Sequence, residues 1–111
     1  MKVLIAAIFT VSLFSIRVIA HPPQNIDIKV SGEKIDVIVT HNVANPSNHY
    51  IEQIKVSLNN KPIIKQSYNI QENKVNQIAN YIIPGLKKGD KIALGADCSK
   101  FGKLDKTITV E

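Results

Sequence analysis

The chain has 111 residues, 44% hydrophobic and 21% charged, with a formal net charge of +5, one cysteine and no tryptophan. That length suits one small domain with one small core, and a lone cysteine excludes an internal disulfide. Lysines are spread along the chain and aromatics make up only 5% of it, so there is no dense basic stripe with stacking platforms and a nucleic-acid surface is excluded.

Residues 1–20 read as a secretory signal. Met1-Lys2 is a short positive start, Val3 to Phe14 is almost wholly apolar, and Val18-Ile19-Ala20 ends in a small residue suited to signal peptidase. The apolar core is short for a span of roughly 20 residues, so no stable membrane span is expected. Arg17 lies close to the cut, which leaves an uncleaved amphipathic anchor as the minority reading. A cut after Ala20 predicts a periplasmic or secreted domain over residues 21–111. Without Lys2 and Arg17, that domain holds 12 basic and 9 acidic side chains, a charge of +3. Such a balance draws small anions towards a site.

From Ile26 onwards the pattern is that of strands. Ile26-Asp27-Ile28-Lys29-Val30 alternates and stops at Ser31-Gly32. Ile35, Val37 and Val39 form one face of a second strand, with Lys34, Asp36, Ile38 and Thr40 on the other. His41 ends that strand, and Asn45-Pro46-Ser47-Asn48 is loop chemistry. Tyr50 to Leu58 predicts a third strand, Asn59-Asn60 a hairpin turn, and Ile63 to Tyr68 a fourth. Gln71 to Lys74 reads as a polar loop. In Val75 to Ile83, Ala79, Tyr81 and Ile83 share one face, and Pro84-Gly85 stops the run. A solvated turn over Leu86 to Lys91 leads into Ile92 to Cys98, and a last strand runs from Leu104 to Val110. No window has convincing helical periodicity. Seven short strands at this spacing predict an all-β, immunoglobulin-like antiparallel sandwich.

Candidate chemistry gathers at His41, His49 and Cys98, with His21 at the start of the mature domain. Read blandly, His41 and His49 are polar residues flanking a loop, and Cys98 is a small buried hydrophobe or an intermolecular thiol. Read chemically, imidazoles and one thiolate suit a transition metal, and loops between strands bring distant ligands together. Zinc accepts three histidines and a cysteine as a closed tetrahedral site, and copper suits an exported protein with an N-terminal histidine. Gly-rich phosphate loops and paired catalytic carboxylates are absent.

Two families share parts of this pattern. His49-Tyr50-Ile51-Glu52-Gln53-Ile54, preceded by His41, resembles the ligand segment of the desulfoferrodoxin and neelaredoxin superoxide reductases, which reads His-Pro-Met-loop-His-Tyr-Ile-Glu-Trp-Ile. Leu86-Lys87-Lys88-Gly89-Asp90-Lys91 followed by Cys98 is similar to their Lys-Lys-Gly-Asp approach to a Cys-x-x-His-Gly pair. His21 stands where that family has an earlier histidine. The resemblance implies an iron centre with four imidazoles in a plane, an axial thiolate and an open position for superoxide. His21, His41, His49 and Cys98 are the matching ligands, and superoxide or a small redox partner the matching reactant. The sequence departs at three places. Phe101 stands at the fourth histidine, the His41–His49 loop is two residues longer, and the family's Glu-Lys pair is Ile19-Ala20 here. A cut after Ala20 frees the amine of His21, which could stand in for the lost imidazole. The loop histidine, His-Tyr-Ile, Asn-Asn-Lys and Lys-Lys-Gly-Asp run is also similar to the metal-free Z-type subunit of the sulfur-oxidation carrier complex, which implies a sulfur-carrier protein as partner. That pattern lacks a cysteine at Cys98.

Overall fold

A computed structural model of the protein describes residues 21–111. The predicted signal segment and its cut after Ala20 lie outside the described residues.

Seven strands follow one another: β1 (Asn25–Ser31), β2 (Lys34–Thr40), β3 (Ile51–Leu58), β4 (Lys61–Ser67), β5 (Asn76–Ile82), β6 (Lys91–Cys98) and β7 (Lys103–Thr109). They form a three-stranded sheet in the order β1-β2-β5 and a four-stranded sheet in the order β4-β3-β6-β7. Every pairing is antiparallel, which matches the predicted immunoglobulin-like sandwich. Among the described residues no helix is long and apolar enough to cross a membrane.

Alternation explains which face turns inward. Ile35, Val37 and Val39 of β2 are fully buried and meet Ile51, Ile54, Val56, Ile92, Leu94 and Ala96 of the facing sheet in one core. Because side chains alternate along a strand, the same periodicity sends Ile38 and its cross-strand partner Ile78 to the outer face. The hairpin between β3 and β4 turns at Asn59 and Asn60, both with positive φ (49° and 67°), a conformation asparagine tolerates better than most residues. Asn59 also accepts the Lys91 N–H and donates to Asp90 Oδ1 at 3.0 Å, pinning that hairpin to the start of β6.

The register brings four connections to one end of the sandwich. Thr40 at the end of β2 lies between Asn25 at the start of β1 and Asn76 at the start of β5. On the other sheet Cys98, at the end of β6, pairs with Ile51 at the start of β3. That end therefore gathers residues 21–24, 41–50, 68–75 and 98–102, which are far apart in sequence.

Candidate metal centre

His41 is the first residue after β2, and its backbone N–H donates to Val75 O at 2.8 Å. The hydrogen bond from Val43 N to Lys74 O, also 2.8 Å, continues that pairing beyond the strand. The chain then turns at Asn45, whose Oδ1 accepts the Ser47 N–H and whose carbonyl accepts the His49 N–H. This Asx turn brings His49 back towards His41, because a short polar side chain satisfies the backbone locally. Tyr50 and Ser99 exchange two hydrogen bonds of 2.9 and 3.1 Å, which fastens His49 to the end of β6. Cys98 is held there by its own N–H to Gly102 O at 2.9 Å.

The side chains converge. Donor atoms of His41, His49 and Cys98 all lie within 4.8 Å of one another. His49 Nε2 stands 3.1 Å from Cys98 Sγ, and the His41 and His49 rings meet edge to face with centroids 4.8 Å apart. The His21 ring lies 5.2 Å from that of His41 and 5.5 Å from that of His49. Its position follows from the backbone around it. Gln24 N donates to Thr40 O, Gln24 Oε1 accepts the Asn42 N–H, and Pro23 is buried. Gly102 has φ +96°, and a Cβ there would stand 3.0 Å from Pro22 Cα. Only a glycine at that turn lets the N-terminal segment lie so close.

The electrostatics favour neutral imidazoles. Burial is the main cause that holds the His41 pKa below its ordinary value. The bond to Gln71 opposes the shift, the charge of His21 adds to it, and the His21 backbone opposes it. His49 is also lowered, first by burial and then by the charges of His41, His21 and Lys100. Metal binding needs deprotonated ligands, so a site that resists imidazolium is already in the binding form.

The fit to a metal can be tested on two further observations. His41 Nε2 is buried and has no hydrogen-bond partner among the described residues, a condition rare in folded proteins unless something else satisfies the atom. The second is the donor set itself: His49 Nε2 lies 3.1 Å from Cys98 Sγ, and imidazole nitrogen beside thiol sulfur is a combination that transition metals take. The donor set fits a transition metal.

The structure gathers three of the four candidate ligands within ligand-sharing distance. His41, His49 and Cys98 form the tight group, and His21 borders it through its ring. Phe101 does not. At the position that matches the fourth histidine of the resembled family, it is 74% exposed. The turn that carries Gly102 against Pro22 leaves Phe101 in solvent, so a spacing of three after the cysteine does not put the side chain in the shell. Gln71, which the sequence places in a polar loop, is instead only 2% exposed and lies against His41. No periodicity marks it, since it sits outside the strands. A signal would have to come from the residues it touches across the fold.

An immunoglobulin-like sandwich with a largely buried His-His-Cys group at one end is the class of protein that this fold and cluster define. Comparison with solved structures returns superoxide reductases. The superoxide reductase (1Fe-SOR) from Giardia intestinalis superposes with a TM-score of 0.64 at 16% identity, covering 81% of this chain and all of that one. A superoxide reductase crystallised in the oxidised state gives a TM-score of 0.51 at 18% identity, covering 82% of this chain and 88% of its own. The chain shares their fold. No protein-family model and no curated protein sequence matches it.

Proposed function

We propose that the chain is an exported metal-binding protein of superoxide-reductase type, which holds one iron ion through His21, His41, His49 and Cys98. The observation that carries this reading is the buried, unpartnered Nε2 of His41 beside His49 and Cys98. The fold neighbours' substrate is the second support. Ferrous iron held by these four residues would supply the one electron that, with two protons, takes superoxide to hydrogen peroxide, and a small redox partner would return that electron.

The chain's own residues set the conditions. Cys98 offers an anionic sulfur that raises electron density at the metal, and imidazoles offer neutral nitrogen ligands. The Lys100 N–H donates to Cys98 Sγ at 3.5 Å, which withdraws part of that sulfur charge. The exposed Lys100 side chain and the basic balance of the domain attract an anion to this end. With no fourth imidazole, and Phe101 turned to solvent, turnover is expected to be slow. The metal-free sulfur-carrier reading has no observation of its own in the fold or the cluster.

The test is elemental analysis of the mature protein, purified without a tag near His21, followed by superoxide consumption by the reduced, iron-loaded form. Stoichiometric iron with slow consumption is expected. A protein that stays metal-free after exposure to iron, copper and zinc overturns the reading, and copper or zinc in place of iron corrects its metal.

A further inference from the structure

We propose that Gln71 is the positioning residue of this centre: its side-chain amide fixes His41 as the tautomer that presents Nε2 as a bare lone pair. The inference rests on the reading of the cluster as a metal site, and it concerns a residue 30 positions away from the histidine it controls.

The argument is one of donors and acceptors. Gln71 Nε2 donates to His41 O at 2.7 Å and to Asn73 O at 2.8 Å. Gln71 Oε1 accepts the backbone N–H of Ile51 at 3.2 Å. Carbonyl oxygens can only accept and a backbone N–H can only donate. Turning the amide over would set two oxygens against oxygen and one N–H against another, so three backbone groups determine its orientation. Oε1 therefore faces His41 Nδ1, at 2.8 Å. An oxygen acceptor and a bare nitrogen would repel at that distance, so Nδ1 carries the proton and donates.

A neutral imidazole has a single N–H. With that proton on Nδ1, Nε2 is an acceptor, and it is the same atom that lies buried without a partner. The unsatisfied lone pair is thus held in place rather than relieved by tautomerisation. A bare imidazole nitrogen of this kind is the form that ligates a metal cation.

Gln71 also braces the loop that carries both histidines. Its backbone N–H donates to Pro46 O at 3.1 Å, and its side chain grips His41 O before the loop and Ile51 N after it. One glutamine thus spans the loop at its two ends and near its middle. A neutral amide suits this place, because only an amide offers two donors for the carbonyls together with an oxygen for Nδ1–H.

The first test uses the metal-free wild type and needs no variant. Two-dimensional 15N–1H spectra that correlate ring nitrogens with carbon-bound protons should show His41 with Nδ1 protonated and Nε2 bare between pH 7 and 8. A proton on Nε2 overturns the proposal. The second test is cobalt(II) affinity, measured by competition with a chelator, for wild type and Gln71→Met, which keeps the length of the side chain but removes its polar atoms. A ten- to hundred-fold weaker affinity, with His41 shifted towards the Nε2–H tautomer, is expected from loss of an outer-shell partner. Unchanged affinity and an unchanged tautomer overturn the positioning role while the metal reading stands. A wild type that has the bare Nε2 but binds no cobalt, iron, copper or zinc overturns the metal reading instead. If Gln71→Met does not fold, the wild-type spectrum still decides.

Discussion

His49 Nε2 and Cys98 Sγ stand 3.1 Å apart although 49 residues separate them. The bond ties the loop after β2 to the last residue of β6, so a loop side chain and a strand side chain meet at the same end of the sandwich. If that pair binds a metal, removing the sulfur should release it. In Cys98→Ser we expect metal content to fall below a tenth of the wild type and thermal stability to drop when metal is present. Ligand at a hundred times its dissociation constant contributes about 2.7 kcal/mol to the folded state, and that contribution should vanish. Without metal the two proteins should differ by about 1 kcal/mol or less, since the exchange removes little volume. Thermal melts with and without iron, beside elemental analysis, check this. Equal content in both proteins would remove Cys98 from the ligand set.

Phe101 provides the opposite expectation. Its ring is largely in solvent, so Phe101→Ser should leave metal affinity within about twofold and stability within about 0.5 kcal/mol, as for other surface exchanges. Phe101→His should bind iron more tightly only if the turn at Ser99 to Gly102 can swing inwards. Chelator competition on the three proteins decides between a shell residue and a surface residue. A large loss of affinity in Phe101→Ser would return the ring to the metal's wall.

The contrast between Phe101 and Ile35 shows what could be read in the chain. Strand faces follow from a period of two, so Ile35, Val37 and Val39 identify their own burial, and the Asn59-Asn60 pair identifies its turn. His41, His49 and Cys98 were legible through their residue types and their resemblance to a ligand pattern. Side-chain direction in a turn obeys no such period. It depends here on Gly102 packing against Pro22, a contact between the two ends of the domain. Gln71 was illegible for the same reason, since the groups that bury it belong to His41, Pro46, Ile51 and Asn73. Its neighbours in sequence, Glu72 to Lys74, are exposed and make it look like loop.

The two lowered histidines give the metal-free protein a pH dependence whose sign is fixed. Burial places the folded-state values of His41 and His49 below their ordinary 6.5. The unfolded chain then binds protons that the folded one refuses, and stability falls wherever that difference exists. Stability should therefore be level above about pH 6.5 and decline as pH falls through the lower folded values. Urea unfolding of the metal-free protein between pH 8 and 5 measures it. In His41→Phe the same decline should be shallower, because one of the two refusing groups is gone. Stability that rises on acidification through this range would mean that the cluster welcomes protons, against the burial of His41.

Processing at Ala20 carries its own consequence for His21. If the cut occurs there, mass spectrometry of the exported protein should find a chain starting at His21, and the new amine lies on a residue whose ring already borders His41 and His49. An amine and the Nδ1 of the same histidine close a six-membered ring on a metal. Pro22 and Pro23 have no backbone N–H, so the chelate stops at those two nitrogens and leaves the remaining positions to His41, His49 and Cys98. We expect one glycine added before His21 to weaken cobalt(II) binding by about tenfold or more, a difference of about 1.4 kcal/mol, while His49 and Cys98 keep their contact. An amine with an ordinary pKa of about 7.7–8.0 must lose its proton to bind, so the advantage of the processed chain should shrink on moving from pH 8 to 6.5. Affinities that match at both pH values would confine His21 to its imidazole, and a chain that keeps Met1 to Ala20 would leave it no free amine.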